Sequence, residues 1–135
     1  MDSATGTPSA ALTILLVDDA PDMRFLARAV LEESGMDVVA EAVDGLEAIE
    51  RFHELRSPTV PTVILLDNQM PKLGGIEAAA QILAEAPDQL IVLFSAYLSE
   101  SIQREAERLG VAACVSKTNV LDLPDIITKL VAARP

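Results

Sequence analysis

A chain of 135 residues, half of them apolar, has enough hydrophobic surface for one domain around one core and too much for a disordered segment. Its 21 acidic against 10 basic residues give a formal charge of −11, which disfavours nucleic acid and anionic membrane surfaces as partners but not basic proteins or divalent cations. The single cysteine, Cys114, excludes an internal disulfide and a cysteine-rich metal site, and with aromatics at 3% the core has to be built from Leu, Ile, Val and Ala.

Residues 1–11, made largely of Ser, Thr, Ala, Gly and Pro, read as a mobile tail ahead of a domain expected over 12–133. This start does not read as a secretory signal, and no apolar run approaches the length of a membrane span, so a cytoplasmic location is expected. Leu12–Val17 is the first apolar run, and Asp18 and Asp19 end it. Pro21 suits the first turn of a helix whose apolar face is Met23, Leu26, Ala27, Val30 and Leu31, with Gly35 as the stop. Val38–Val43 predicts a second strand, weakened by Glu41, and Asp44–Gly45 turns into a helix near Leu46–Leu55.

After a proline-containing loop over 56–61, the stretch Thr62–Pro71 (TVILLDNQMP) dominates the chain. Its apolar run Val63–Leu66 is unalternated and β-branched at the start, the mark of a strand buried on both faces. The carboxylate of Asp67 cannot stay unpaired in the core, so it has to emerge at the sheet's carboxyl edge, where open parallel sheets bind ligands. Beyond Gly74–Gly75, Ile76, Ala79, Ala80, Leu83 and Ala84 repeat the helical spacing until Pro87–Asp88. Leu90–Phe94 predicts a fourth strand ending at Ser95, and Leu98, Ile102, Ala106 and Leu109 a helical stripe closed by Gly110. Val111–Val115 predicts a fifth strand, followed by Ser116 and Lys117; Pro124 opens a last helix with Ile126, Ile127, Leu130 and Val131 inward.

Strands and helices therefore alternate five times, which means βαβ units: an α/β domain with a parallel sheet and helices on both faces. Such a sheet brings Asp18, Asp19, Asp67, Ser95 and Lys117 to one edge from distant parts of the chain. Three carboxylates there repel one another, and a hard cation such as Mg²⁺ resolves the conflict. Lys117 adds a mobile positive charge and Ser95 a hydroxyl donor, so the set suits transfer of a phosphoryl group onto Asp67. Singly, the acidic pair reads as a solvated turn, Asp67 as a cap and Lys117 as a surface lysine; only the joint placement carries the inference. His53 reads as a surface residue, and Cys114, among apolar neighbours, as an inert buried thiol.

LLVDD (Leu15–Asp19), LLDNQMP (Leu65–Pro71) with Gly74–Gly75, FSA (Phe94–Ala96) and Lys117 after the fifth strand occur in an order that resembles the receiver domain of bacterial two-component response regulators, from Leu12 to about Ala133. The resemblance implies a doubly wound, flavodoxin-like sheet of five parallel strands in order 2-1-3-4-5 with five helices. It implies that Asp67 is the phosphoacceptor, Asp19 a direct Mg²⁺ ligand, Asp18 a ligand mainly through water, and Gln69 a ligand through its backbone carbonyl. Ser95 would hydrogen-bond the phosphoryl group and Lys117 pair with it. The phosphodonor would be a sensor histidine kinase or histidine phosphotransfer protein. The output would be a downstream protein target read through the helix 4–strand 5–helix 5 face, with a homodimer also compatible. No DNA-binding segment follows the last helix, so a stand-alone receiver or one cut from a longer regulator is expected, with no nucleic acid or membrane bound by this chain. It would be no enzyme beyond assisting its own phosphorylation and dephosphorylation.

The sequence also departs from that family. Cys114 stands three residues before the lysine, where Tyr or Phe usually acts as a rotameric switch, and Thr118 replaces the proline that usually follows the lysine. Tyr97, the chain's one tyrosine, is the candidate substitute in the switch, and Gln69 and Tyr97 sit where the family tunes water access to the acyl phosphate. Two alternatives compete. A haloacid-dehalogenase-type phosphatase needs a second Asp two residues after the nucleophile, and Gln69 stands there; a pseudo-receiver that binds partners without phosphorylation is opposed by the intact acidic pair, Asp67 and Lys117.

Overall fold

The sheet is assembled around β3 (Val63–Leu66), whose four side chains are fully buried. A computed structural model describes residues 12–57 and 60–134; the tail expected over 1–11 lies outside the described residues. β1 (Thr13–Val17) and β4 (Leu90–Ser95) flank β3, β2 (Asp37–Ala42) lies outside β1, and β5 (Ala113–Ser116) outside β4. All pairings are parallel, giving the order β2-β1-β3-β4-β5 expected for a doubly wound sheet.

Both faces of the sheet are covered, which is why its strands show no apolar–polar alternation. On one face Leu15, Val17, Ile64, Leu66, Ile91 and Leu93 pack against α2 (Gly45–Leu55), α3 (Gly75–Glu85) and α4 (Glu100–Leu109) through Phe52, Ala79, Ile82 and Ala106. On the other, Ile14, Leu16, Val63, Leu65, Val92 and Phe94 meet α1 (Pro21–Glu33) and α5 (Leu123–Ala132) through Ala27, Leu31, Leu123 and Ile127. Truncating one of these buried Leu or Ile side chains to Ala costs about 2–5 kcal/mol. No helix among the described residues is long and apolar enough to cross a membrane.

Several boundaries differ from the sequence-based expectation, each for a local reason. Asp44, read as a turn residue, is the buried N-cap of α2: its Oδ1 accepts from Glu47 N–H at 2.9 Å, while Glu47 Oε1 reaches back to Val43 N–H at 3.1 Å. Val111 is buried as an apolar residue should be, but its N–H donates to Ala106 O at 2.9 Å. It therefore closes α4 behind the left-handed Gly110, and β5 starts at Ala113 rather than Val111. β2 runs over Asp37–Ala42, one residue earlier than expected at both ends. A 3₁₀ helix over Lys117–Asp122, absent from the sequence reading, joins β5 to α5.

Candidate functional site

Register sets the site. Val17 lies beside Leu66 and Leu66 beside Leu93, so the residues leaving β1 and β3 emerge as neighbours. Asp67 N–H donates to Val17 O at 3.0 Å and Asp18 N–H donates to Ala42 O at 3.1 Å, which fixes both backbones at the rim. Ser95 is opposite Ser116 at the ends of β4 and β5, and Lys117 follows directly. Asp18, Asp19, Asp67, Ser95 and Lys117 thus come together as expected, with carboxylate oxygens of the three aspartates within 4.8 Å of one another.

Both oxygens of Asp67 are engaged. Ser95 Oγ donates to Oδ1 at 2.9 Å, and Lys117 Nζ donates to Oδ2 at 3.2 Å. Lys117 Nζ also lies 2.7 Å from Asp18 Oδ2, and Asp18 Oδ1 accepts from Ala20 N–H at 2.9 Å. Asp18, Asp67 and Ser95 are buried at 1%, 4% and 1% exposure, whereas Asp19 faces solvent. The ammonium is therefore shared between two buried carboxylates while the third stays open to water.

Burial by itself would lower the pKa of Lys117. The hydrogen bond to Asp18 and the charges of Asp67 and Asp18 outweigh it, and the net direction is upward, so the group stays charged at neutral pH. One positive charge against three carboxylates leaves the cluster under-neutralised. The ammonium of Lys117, at 2.7 Å, is the one partner of Asp18 Oδ2 among the described residues, so that buried oxygen depends on a cation it shares with Asp67. Two buried carboxylates sharing one ammonium, beside a third that is open to water, form the oxygen-only ligand set that a hard divalent cation takes.

The loop after Asp67 is closed by backbone contacts that need glycine. Gly75 N–H donates to Asn68 O at 2.9 Å, and a Cβ on Gly75 would fall 2.2 Å from Asp67 O. Ile76 N–H donates to Asn68 Oδ1 at 3.1 Å, so the start of α3 is held against the backbone that follows Asp67. Gly45 N–H donates to Leu73 O at 2.8 Å, and a Cβ there would lie 2.4 Å from that oxygen, which ties the same loop to α2. Gln69 lies in this loop with its side chain exposed.

Two further expectations need adjustment. Cys114 is half-buried rather than fully buried, because its side chain lines a groove of about 570 Å³ between α4 and β5 with Gln103, Arg104 and Glu107. Burial, then the nearby Glu107, pushes its thiol pKa up, so it remains protonated despite the opening. Tyr97 projects from the rim after Ser95, 60% exposed. His53 is exposed as expected and pairs with Glu85 across the opposite edge, Nε2 to Oε2 at 3.0 Å.

Sequence reasoning missed two features of the site. Ser116 Oγ accepts from Thr118 N–H at 3.2 Å and lies 2.9 Å from Thr118 Oγ1, a hydroxyl turn that shapes the backbone around Lys117 where the family has proline. The Ser-Lys-Thr spacing was the available signal. Arg24 and Glu41 form an ion pair beside Asp18, and the signal for it was a lone charge inside an otherwise apolar strand.

The family model for the response regulator receiver domain matches residues 14–130. The chemotaxis protein CheY of Listeria monocytogenes is 36% identical over 99 residues, covering 73% of this chain and 80% of CheY. The crystal structure of the response regulator domain of Thermotoga maritima CheB superposes with a TM-score of 0.83 at 30% identity, covering 93% of this chain and 100% of that domain. A LuxR-family two-component response regulator from Aurantimonas sp. SI85-9A1 gives a TM-score of 0.84 at 31% identity over 93% of this chain and 88% of that one. With the motifs, the strand order and the matched span in agreement, the chain belongs to the response regulator receiver domain family.

Proposed function

We propose that this receiver takes a phosphoryl group from a phosphohistidine of a sensor kinase or histidine phosphotransfer protein onto Asp67, and that the modification switches the binding of a downstream protein. The observation that carries this reading is the pinning of the two Asp67 oxygens by Ser95 and Lys117, at 2.9 and 3.2 Å, at the centre of the acidic cluster. An oxygen of Asp67 forms the new P–O bond as the donor's P–N bond breaks and the imidazole leaves with the electron pair. Ser95 and Lys117, already bonded to the accepting carboxylate, follow the charge onto the phosphoryl oxygens. Asp19, Asp67 and the Gln69 carbonyl, with Asp18 through water, would hold Mg²⁺, which would supply neutralisation of charge on the transferred group.

Phosphorylation replaces the single carboxylate charge of Asp67 with an acyl phosphate carrying about 1.5–2 negative charges, set farther out from the backbone and on more acceptor oxygens. This draws Lys117 and Ser95 and shifts an existing equilibrium in the loop after β4 and in α4, with the α4–β5–α5 face as the readout. Phe25 on α1 and Leu121 on the 3₁₀ helix, each 78% exposed, belong to elements that leave the same sheet edge, which supports a protein rather than a small molecule as phosphodonor. A cytoplasmic site of action and a role as switch rather than enzyme are part of this proposal.

The test is incubation with a small-molecule phosphodonor and Mg²⁺ followed by intact-protein mass spectrometry. One phosphoryl group on the wild type and none on Asp67→Asn is the expected result; incorporation that survives in Asp67→Asn refutes the assignment. A beryllofluoride titration with Mg²⁺ watched by NMR separates the pseudo-receiver, which would show no response at saturation.

A further inference from the structure

We infer that Arg24 is a positioning residue of the acidic site, holding the Asp18–Asp19 peptide through the Asp18 carbonyl while Glu41 holds Arg24. Arg24 lies in the first turns of α1, its side chain 18% exposed. Its Nη1 donates to Asp18 O at 2.7 Å and its Nε to Glu41 Oε1 at 3.0 Å, so the planar fork spans both partners at once. The Asp18 carbonyl belongs to the peptide that joins the two aspartates. With Asp18 N–H bonded to Ala42 O at 3.1 Å, the backbone of Asp18 is fixed from both sides, and with it the origin of both carboxylates.

Glu41, the residue that weakens β2 as a sequence pattern, is the anchor of this arrangement. Its second oxygen accepts from Arg28 Nη1, and Arg28 Nη2 donates to Val38 O at 3.2 Å. Arg28 therefore already fastens α1 to β2, and the arm of Arg24 that reaches Asp18 is not needed for that task. The two cations beside the cluster also act differently. Lys117 occupies carboxylate oxygens of Asp18 and Asp67, whereas Arg24 touches the Asp18–Asp19 pair only at the Asp18 carbonyl and leaves their carboxylates to a metal. Groups that orient ligands in this way affect metal affinity by about 10–100-fold when removed.

This inference rests on the proposed Mg²⁺ site, and the experiment separates the two. Mg²⁺ affinity of the intact chain is measured by calorimetry for wild type, Arg24→Gln, Arg28→Gln and Arg24→Lys. Deleting a positive charge near three carboxylates tightens cation binding by Coulomb's law alone, so weakening in Arg24→Gln can come only from lost geometry. Arg24→Gln should bind Mg²⁺ about tenfold more weakly. Arg28→Gln, which loses the same charge and the same Glu41 partner without touching Asp18, should bind at least as well as wild type. Affinity in Arg24→Gln equal to or tighter than wild type, or an equal weakening in Arg28→Gln, overturns the assignment. If Arg24→Gln does not fold, Arg24→Lys decides: it keeps the charge but serves one partner at a time, and wild-type affinity there overturns the assignment. A wild type that binds no Mg²⁺ overturns the proposed function as well; a wild type that binds while Arg24→Gln is unaffected overturns this inference alone.

Discussion

Replacing Lys117 with Met keeps most of the side-chain volume and removes the ammonium, which isolates its electrostatic role. In the metal-free protein, Asp18 and Asp67, with side chains 2% and 5% exposed, then lose a cation at 2.7 and 3.2 Å. At an effective dielectric constant of about 20 each contact is worth about 5–6 kcal/mol of gross attraction, most of which is offset by the desolvation of the charges. Removing one partner of a buried ion pair costs about 3–5 kcal/mol net. Because Asp67 keeps Ser95 and Asp18 keeps the Ala20 N–H, the lower end applies, about 3 kcal/mol. Urea unfolding followed by far-ultraviolet circular dichroism, in chelator and again at saturating Mg²⁺, reads this directly. The deficit should shrink with Mg²⁺, since the cation restores positive charge and no ammonium competes for the same oxygens. A variant that binds tenfold more tightly gains about 1.4 kcal/mol over wild type at saturation. A deficit below about 1 kcal/mol in chelator, or one unchanged by Mg²⁺, would refute the reasoning, because a surface lysine gives that result.

Three further outcomes follow from the same geometry. Lys117 is held above its ordinary pKa of 10.5 despite its burial, so its stabilisation is complete below that pH and lost as pH rises through the folded value; wild type and Lys117→Met should converge in alkaline unfolding curves, and parallel curves would contradict this. Gly75→Ala drives a methyl group against Asp67 O and Asn68 Cα, backbone atoms that cannot yield, and should cost about 2 kcal/mol of stability and slow phosphoryl incorporation; a change within about 0.5 kcal/mol would show that the loop is not closed as described. Tyr97→Ala should shorten the life of the acyl phosphate by admitting water, and equal or slower decay of the phosphorylated variant would end that idea.

The parts of this fold that could be read from the residues are those where burial leaves one solution. Val63–Leu66 has no polar face to show, so it can only be a strand covered on both sides, and Asp67 can only leave at its end. Given alternating helices, the shared edge of Asp18, Asp67, Ser95 and Lys117 follows from parallel pairing. What stayed hidden depends on where one element lies over another. Val111 carries the right side chain for β5, and only its N–H, bonded to Ala106, assigns it to α4. Glu41 reads as a defect until α1 is laid across β2 and two arginines meet it. The exposure of Cys114 depends on how far α4 stands off β5, and a periodic pattern carries no such distance. The 3₁₀ helix is too short and irregular to have an apolar period.

The two glycines that close the loop after Asp67 also give the site a direction. On that flank, main chain rests on main chain, from Gly75 to Asp67 and from Gly45 to Leu73, with no side chain in between to rotate out of the way. The opposite flank begins with Ala96 and Tyr97, both open to solvent. Under the proposed function, a phosphoryl group added at Asp67 would meet a rigid wall on the α3 side and an open one towards α4, so the mechanical asymmetry of the response would be written into the positions where a methyl group is missing.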